Sequence, residues 1–254
     1  MRWLAGICRC LLAGQAILGT IASAADLTDT IERIKPSIVV VGTYKNTSSP
    51  QFVMRGTGFV VGYGNLVATN AHVLTEINGP DAPALVIRAR TANGEPQIRR
   101  ALLASLDKEH DLAVLRIEGS ALPAMKLGNS DQVREGQSIA FTGFPLGGAL
   151  GFSPVTHRGI VSSVTPIALP GGNAQQINEK LIRKIRSGTF NILQLDATAY
   201  PGNSGSPVYD TETGETLGVI NMVFIKGTRE AALNQPSGIS YAIPVNYLLE
   251  LLKQ

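Results

Sequence analysis

The chain has 254 residues, 44% of them apolar and 16% charged, with a formal net charge of +3. Arg2 and Arg9 both lie in the first two dozen residues, and without them the charge is about +1, so nothing in the balance points to a nucleic-acid partner. Three scattered histidines and two N-terminal cysteines offer no zinc-ligand spacing, and no phosphate-cradling glycine motif occurs, so no metal or cofactor is expected.

Residues 1–24 read as a secretion signal. Arg2 gives a positive start, an apolar stretch runs from about residue 10 to 21, and Ala22-Ser23-Ala24 supplies small residues for cleavage before Ala25 or Asp26. An uncleaved anchor is the alternative, but the stretch is short against the roughly 20 residues that a membrane span needs. Cys8 and Cys10 both fall inside this leader, so the mature protein has no cysteine. An exported domain without disulfides is held by its core, and about 230 residues suffice for one. The location expected is a bacterial periplasm or the medium, with no stable membrane anchor after cleavage.

Residues 27–35 read as a short helix leading into Pro36. Short apolar runs punctuated by Gly, Asn and Pro follow at 38–43, 58–61, 66–69, 85–89, 101–107 and 112–117. A second set lies at 138–143, 155–164, 193–196, 207–209, 217–223 and 238–243. This spacing fits an antiparallel barrel or sandwich, with Tyr63-Gly64-Asn65 as a tight turn. The connection, rich in Gly, Pro and polar residues, divides the mature chain into 25–120, a link at 121–136, and 137–254. Residues 166–189 read as an insertion whose segment 176–186 puts Ile177, Leu181, Ile182 and Ile185 on one helical face. Its basic side suggests a solvated surface helix or a docking loop. The chain closes on a helix at 245–253, with Leu248, Leu249 and Leu252 as its docking face.

The most informative stretch is Tyr200-Pro201-Gly202-Asn203-Ser204-Gly205-Ser206-Pro207. Glycines flanking a serine let the backbone turn sharply and approach a substrate, and the N–H groups of Gly202 and Ser204 can converge on a developing oxyanion. A serine hydroxyl needs a base, and the base needs an orienting carboxylate. Of the three histidines, His72 closes an apolar strand in small residues, and Asp111 opens the buried run Asp111-Leu112-Ala113-Val114-Leu115. His110 should point away from Asp111 along an extended strand and be exposed. His157 reads as a loop or strand-edge residue. Asp107 lies in a charged turn expected to be solvated. Ser130 is disfavoured as a nucleophile because Asp131 follows it. The order His72, Asp111, Ser204 is that of the chymotrypsin type.

Gly56-Thr57-Gly58-Phe59-Val60, Thr69-Asn70-Ala71-His72-Val73, Asp111-Leu112-Ala113-Val114-Leu115, Leu127-Gly128-Asn129-Ser130-Asp131, Gly143-Phe144-Pro145-Leu146-Gly147, Gly202-Asn203-Ser204-Gly205-Ser206 and Tyr241-Ala242-Ile243-Pro244 run through nearly all of the mature chain. In them the sequence resembles trypsin-like serine proteases of the HtrA/Deg branch. The resemblance implies an all-β fold of two six-stranded antiparallel β-barrels with a C-terminal helix. It implies an acyl-enzyme mechanism with Ser204 as nucleophile, His72 as base and Asp111 as orienting acid. It implies an oxyanion hole at Gly202 and Ser204, and protein or peptide substrates, unfolded ones above all.

Further expectations follow from the resemblance. Thr198, six residues before the nucleophile, falls at the floor of the specificity pocket, with Ile220, Met222 and Ile239 as lining. An uncharged floor implies cleavage after small or medium aliphatic residues rather than after Lys or Arg. Asn203, being neutral, cannot receive a freed amino terminus, which argues against activation by N-terminal cleavage. The chain ends after its last helix, leaving no room for the peptide-binding PDZ domain that many relatives carry. No aromatic residue occurs between Asp26 and Tyr44, where relatives form trimer contacts, so a monomer and an oligomer both stay open. The rival reading is a protease-fold binding or scaffold protein, silent or waiting on an activator. An esterase is a third, though no lipid-accommodating apolar stretch occurs.

Overall fold

The computed structural model describes residues 26–74, 82–91, 93–147, 151–166, 190–221 and 239–254. The leader, residues 167–189 of the insertion, and Met222 lie outside these residues, as does the side chain of Ile239. Helix α1 (Leu27–Ile34) starts at Asp26, whose carboxylate caps the Thr28 N–H, and stops as Pro36 tightens the chain into a 3-10 turn.

Six strands then form a closed barrel: β1 (Ile38–Tyr44), β2 (Phe52–Val61), β3 (Leu66–Asn70), β4 (Ala84–Arg90), β5 (Pro96–Asp107) and β6 (Leu112–Ile117), in the order β1-β2-β3-β6-β5-β4. Six more form a second: β7 (Ser138–Gly143), β8 (Val155–Pro166), β9 (Asn191–Asp196), β10 (Pro207–Asp210), β11 (Thr216–Ile220) and β12 (Ile239–Pro244). Its order, β7-β8-β9-β12-β11-β10, repeats the first, and every pairing in both barrels is antiparallel. The expected all-β, two-barrel architecture is observed. Closure leaves no sheet edge to protect.

Each barrel has its own core. Val39, Val41, Val60, Val67, Ile87 and Leu115 fill the first, and Ile139, Phe141, Val161, Leu193, Leu195 and Val208 fill the second. A third apolar cluster joins them, drawing Phe59, Val61 and Leu112 from one side and Tyr209, Val219 and Ile243 from the other. Helix α2 (Val245–Leu251) packs on this shared core through Val245, Leu248 and Leu251 with Leu252 against it, so the expected face is extended to Val245 and Leu251. Leu249 and Leu252 are only half-buried. Each fully buried aliphatic side chain contributes about 1.5–3 kcal/mol, so this shared cluster holds the two barrels together. Among the described residues no helix is long and apolar enough to cross a membrane.

Candidate active site

Asp111 sits where the β5–β6 turn enters β6, with φ 55°. A left-handed aspartate costs about 1 kcal/mol or more and persists only where its surroundings fix it. Here they do. Its carbonyl accepts from the Ala71 N–H at 3.1 Å and from Asn70 Nδ2 at 3.0 Å, both at the end of β3. Its carboxylate grips His72 twice, Oδ1 accepting from the backbone N–H at 2.8 Å and Oδ2 lying 2.6 Å from ring Nδ1. His72 itself stands in a single 3-10 turn, Ala71–Leu74, that follows β3. Asn221, just past β11, donates to Asp111 Oδ2 at 2.7 Å, so the second barrel also holds the acid.

Ser204 lies in the turn before β10 and is 6% exposed. Its carbonyl accepts from the Thr57 N–H of β2 at 2.8 Å, pinning the loop to the first barrel. The flanking glycines are required. Gly202 has φ 103°, and a Cβ there would stand 2.3 Å from the Phe144 carbonyl oxygen. Gly205 has φ 86°, and a Cβ would stand 2.1 Å from the Thr57 carbonyl oxygen. Gly56 backs the same point: its missing Cβ would be 2.8 Å from Val73, the neighbour of His72, and 3.0 Å from the Ser204 carbonyl. His72 and Asp111 are thus bonded to each other, and the Ser204 loop packs through Gly56 against Val73, the neighbour of His72. The Gly205 N–H donates to the Ile220 carbonyl at 3.0 Å, which ties the Ser204 loop to the strand end that carries Asn221.

The peptide joining Pro201 to Gly202 has a fixed direction. The Leu146 N–H donates to the Pro201 carbonyl at 2.7 Å, and in a trans peptide the Gly202 N–H then points the opposite way. Thr57 Oγ1 donates to the Gly202 carbonyl at 2.7 Å and accepts from the Phe144 N–H at 3.1 Å. Among the described residues, neither the Gly202 nor the Ser204 N–H is engaged by a backbone acceptor.

The specificity residues are less gathered. Thr198 is half-buried between Ala197 and Ala199. Ser240 Oγ ties both neighbours, accepting from the Ala199 N–H at 2.9 Å and donating to the Ala197 carbonyl at 2.7 Å. Ile220 is fully buried in the second barrel's core. Asn203 is fully buried too, with both its side-chain polar atoms unpartnered among the described residues. Ser130 is structural: its Oγ accepts from the Asn246 N–H at 3.2 Å, stapling the inter-barrel link to α2.

Two histidines stand differently from expectation. His110 is 18% exposed and lies 2.6 Å from Asp107, so neither is free in solvent. His157 lies within β8 opposite Phe141, its ring stacked on that phenyl at 4.8 Å, and burial lowers its pKa. The sequence alone does not single out the contacts of Asn221, Thr57, Leu146 and Ser240. Asn221 stands out as a polar residue inside the apolar run 217–223, and Thr57 and Leu146 lie in two of the stretches that carry the resemblance. Among the described residues, no cluster of three or more His, Cys, Asp or Glu could hold a metal ion.

Comparison with known proteins agrees with this fold. The model of the trypsin-like peptidase domain matches residues 56–219. The chain belongs to the trypsin-like peptidase family. Among curated proteins it is 32% identical over 208 residues to the mitochondrial serine protease HTRA2 of Drosophila pseudoobscura pseudoobscura, covering 82% of this chain and 40% of that protein. The HTRA2 of Drosophila virilis is 31% identical over the same length, with 82% and 41% covered. The chain thus spans about two fifths of the length of these relatives. Of solved structures, the HtrA-type protease AlgW with a tripeptide superposes with a TM-score of 0.61 at 26% identity, over 90% of this chain and 63% of that one. Deg5 superposes with a TM-score of 0.63 at 24% identity, over 88% and 90%, a likeness of fold.

Proposed function

We propose that this trypsin-like peptidase is an exported serine endopeptidase that cleaves unfolded protein chains through an acyl-enzyme. The observation that carries this reading is the double grip of Asp111 on His72, with Asn221 bearing on the same carboxylate. An ionised carboxylate only accepts hydrogen bonds, so the proton of the neutral imidazole lies on Nδ1. Nε2 then keeps its lone pair for the proton of Ser204 Oγ.

In the first step Ser204 Oγ attacks the scissile carbonyl carbon while His72 Nε2 takes its proton. The carbonyl oxygen becomes an oxyanion between the Gly202 and Ser204 N–H groups, each such donor lowering the barrier by about 3–4 kcal/mol in comparable sites. His72 returns the proton to the leaving amine, and Asp111 stabilises the transient imidazolium. Water then repeats the sequence on the acyl-enzyme. The Leu146–Pro201 hydrogen bond favours this reading over a silent scaffold, because it keeps the Pro201 carbonyl turned away from the side to which Gly202 presents its N–H.

Thr198, without charge, is proposed as the pocket floor, held from behind by Ser240. Such a floor suits small or medium aliphatic side chains before the scissile bond. Residues 1–24 are proposed as the export signal, with the mature protein acting in the periplasm or outside the cell. The test is covalent: a fluorophosphonate probe should label the folded protein once, on a peptide containing Ser204, and labelling should vanish in Ser204→Ala and fall sharply in His72→Ala. An unlabelled wild-type protein would favour the scaffold.

A further inference from the structure

Asp107 ends β5 and Asp111 precedes β6, so a turn of three residues separates two aspartates of different standing. Asp107 holds that turn. Its Oδ1 accepts from the backbone N–H of Glu109 and of His110, each at 3.0 Å, and its Oδ2 lies 2.6 Å from His110 Nδ1. Burial pushes the Asp107 carboxyl upward, but the backbone and ring N–H groups of His110 outweigh it and hold the group below its ordinary value. The pattern repeats that of Asp111 on His72: one oxygen on the histidine's backbone N–H, the other on its ring.

The His110 ring is held from its other side as well. It stacks on Tyr247 of α2 at 3.9 Å and 18°, and meets Phe190 edge-on at 4.7 Å. Phe190 in turn lies edge-on to Tyr247 at 5.6 Å. The turn that delivers Asp111 is therefore moored to the residues flanking β9 and β12, on the side of the molecule that supplies Asn221. The charged group bonded to the ring is Asp107; burial raises the pKa of the Tyr247 hydroxyl, and the charges of Asp131 and Glu109 add to that.

We propose that Asp107 and His110 form a second His–Asp couple with a positioning role: together they hold residues 107–110 in the one arrangement from which the chain enters Asp111 at φ 55° and sets its carboxylate on His72. Neither residue touches Ser204 or a substrate. The geometry is demanding because a left-handed aspartate needs its neighbours fixed on both sides, and β6 pairing secures only the side that follows. This inference rests on the triad reading given above.

The experiment compares Asp107→Ala with Asp107→Asn in the full chain, using a chromogenic peptide with Val before the scissile bond. Asparagine keeps an oxygen for the two turn amides, whereas alanine keeps nothing. For Asp107→Ala the expected result is a kcat lower by about 10- to 100-fold, the range a misplacement of about 1 Å produces. KM should stay within about twofold while the acid limb of the kcat/KM profile shifts, and Asp107→Asn should restore most of the loss. Should Asp107→Ala fail to fold, His110→Phe carries the test, since it keeps the stack on Tyr247 and loses only the ring's bond to Asp107. Its expected loss in kcat is about 3- to 10-fold.

A second readout does not need activity. In Ser204→Ala protein, the low-field ring N–H proton resonance assigned to His72, by its loss in His72→Gln, should move in Asp107→Ala and return in Asp107→Asn. Unchanged kcat, pH profile and His72 resonance in Asp107→Ala, or unchanged values in His110→Phe where that variant stands in, would overturn the inference. A wild-type protein without activity whose His72 resonance still follows Asp107 would overturn the protease reading and leave the positioning couple standing.

Discussion

Asn221 of the second barrel donates to the same carboxylate oxygen of Asp111, at 2.7 Å, that faces His72 Nδ1 in the first barrel at 2.6 Å. The carboxylate that holds the His72 ring is thus held from both sides of the seam, and its aim depends on how the barrels sit against each other. A hydrogen bond to a charged group is worth about 1.5–3 kcal/mol, so Asn221→Ala should lower kcat by about 10- to 100-fold. Steady-state kinetics on a peptide substrate checks it, with KM near the wild-type value.

Asp111→Asn keeps the shape of the acid and loses its charge, and an amide NH₂ facing Nδ1 favours the wrong tautomer. Turnover should fall about 10⁴-fold with the fold intact. Circular dichroism and a kcat measurement on the same sample check both halves of this expectation.

Much of this fold is legible in the sequence. The strands stood out as apolar runs between Gly, Pro and Asn, and both barrels closed from them. The first halves of β2 and β5 did not, because Arg55 in the one and Gln97, Arg99 and Arg100 in the other break the apolar pattern. The pairing of His72 with Asp111 is legible because His72 closes an apolar strand in small residues and Asp111 opens a buried apolar run. His110 was misread for a physical reason: alternation of side chains holds for extended backbone, and Asp111 is left-handed. Thr57 and Leu146 lie inside stretches that carry the resemblance, but their roles, like that of Ser240, come from contacts between segments distant in sequence, which local pattern does not display.

Gly205→Ala would drive a Cβ to 2.1 Å from the Thr57 carbonyl oxygen and 2.5 Å from Thr69 Oγ1, at φ 86°. Backbone on one side and a hydrogen-bonded hydroxyl on the other give little room, since Thr69 Oγ1 donates to that same carbonyl at 2.7 Å. A destabilisation of about 2–4 kcal/mol is expected, together with loss of activity. Urea unfolding followed by fluorescence reads the first, and peptide hydrolysis the second.

His157 sets a pH dependence of stability. Its folded pKa is lowered by burial, so the unfolded chain takes up a proton that the folded one refuses. Stability should therefore decline as the pH falls below the ordinary histidine value of about 6.5, and stop declining on this account below the folded value. The melting temperature of His157→Phe should fall less than that of the wild type between pH 7 and pH 5, read by thermal melts in matched buffers.

The most direct test of the central claim is digestion of an unfolded, reduced protein by the wild-type chain beside Ser204→Ala, with every cut site read by mass spectrometry. The account predicts internal cleavage by the wild type, mostly after Val, Ala or Leu, and none by the variant. Equal cleavage by both, or no cleavage by folded wild-type protein, would contradict a serine endopeptidase built on Ser204.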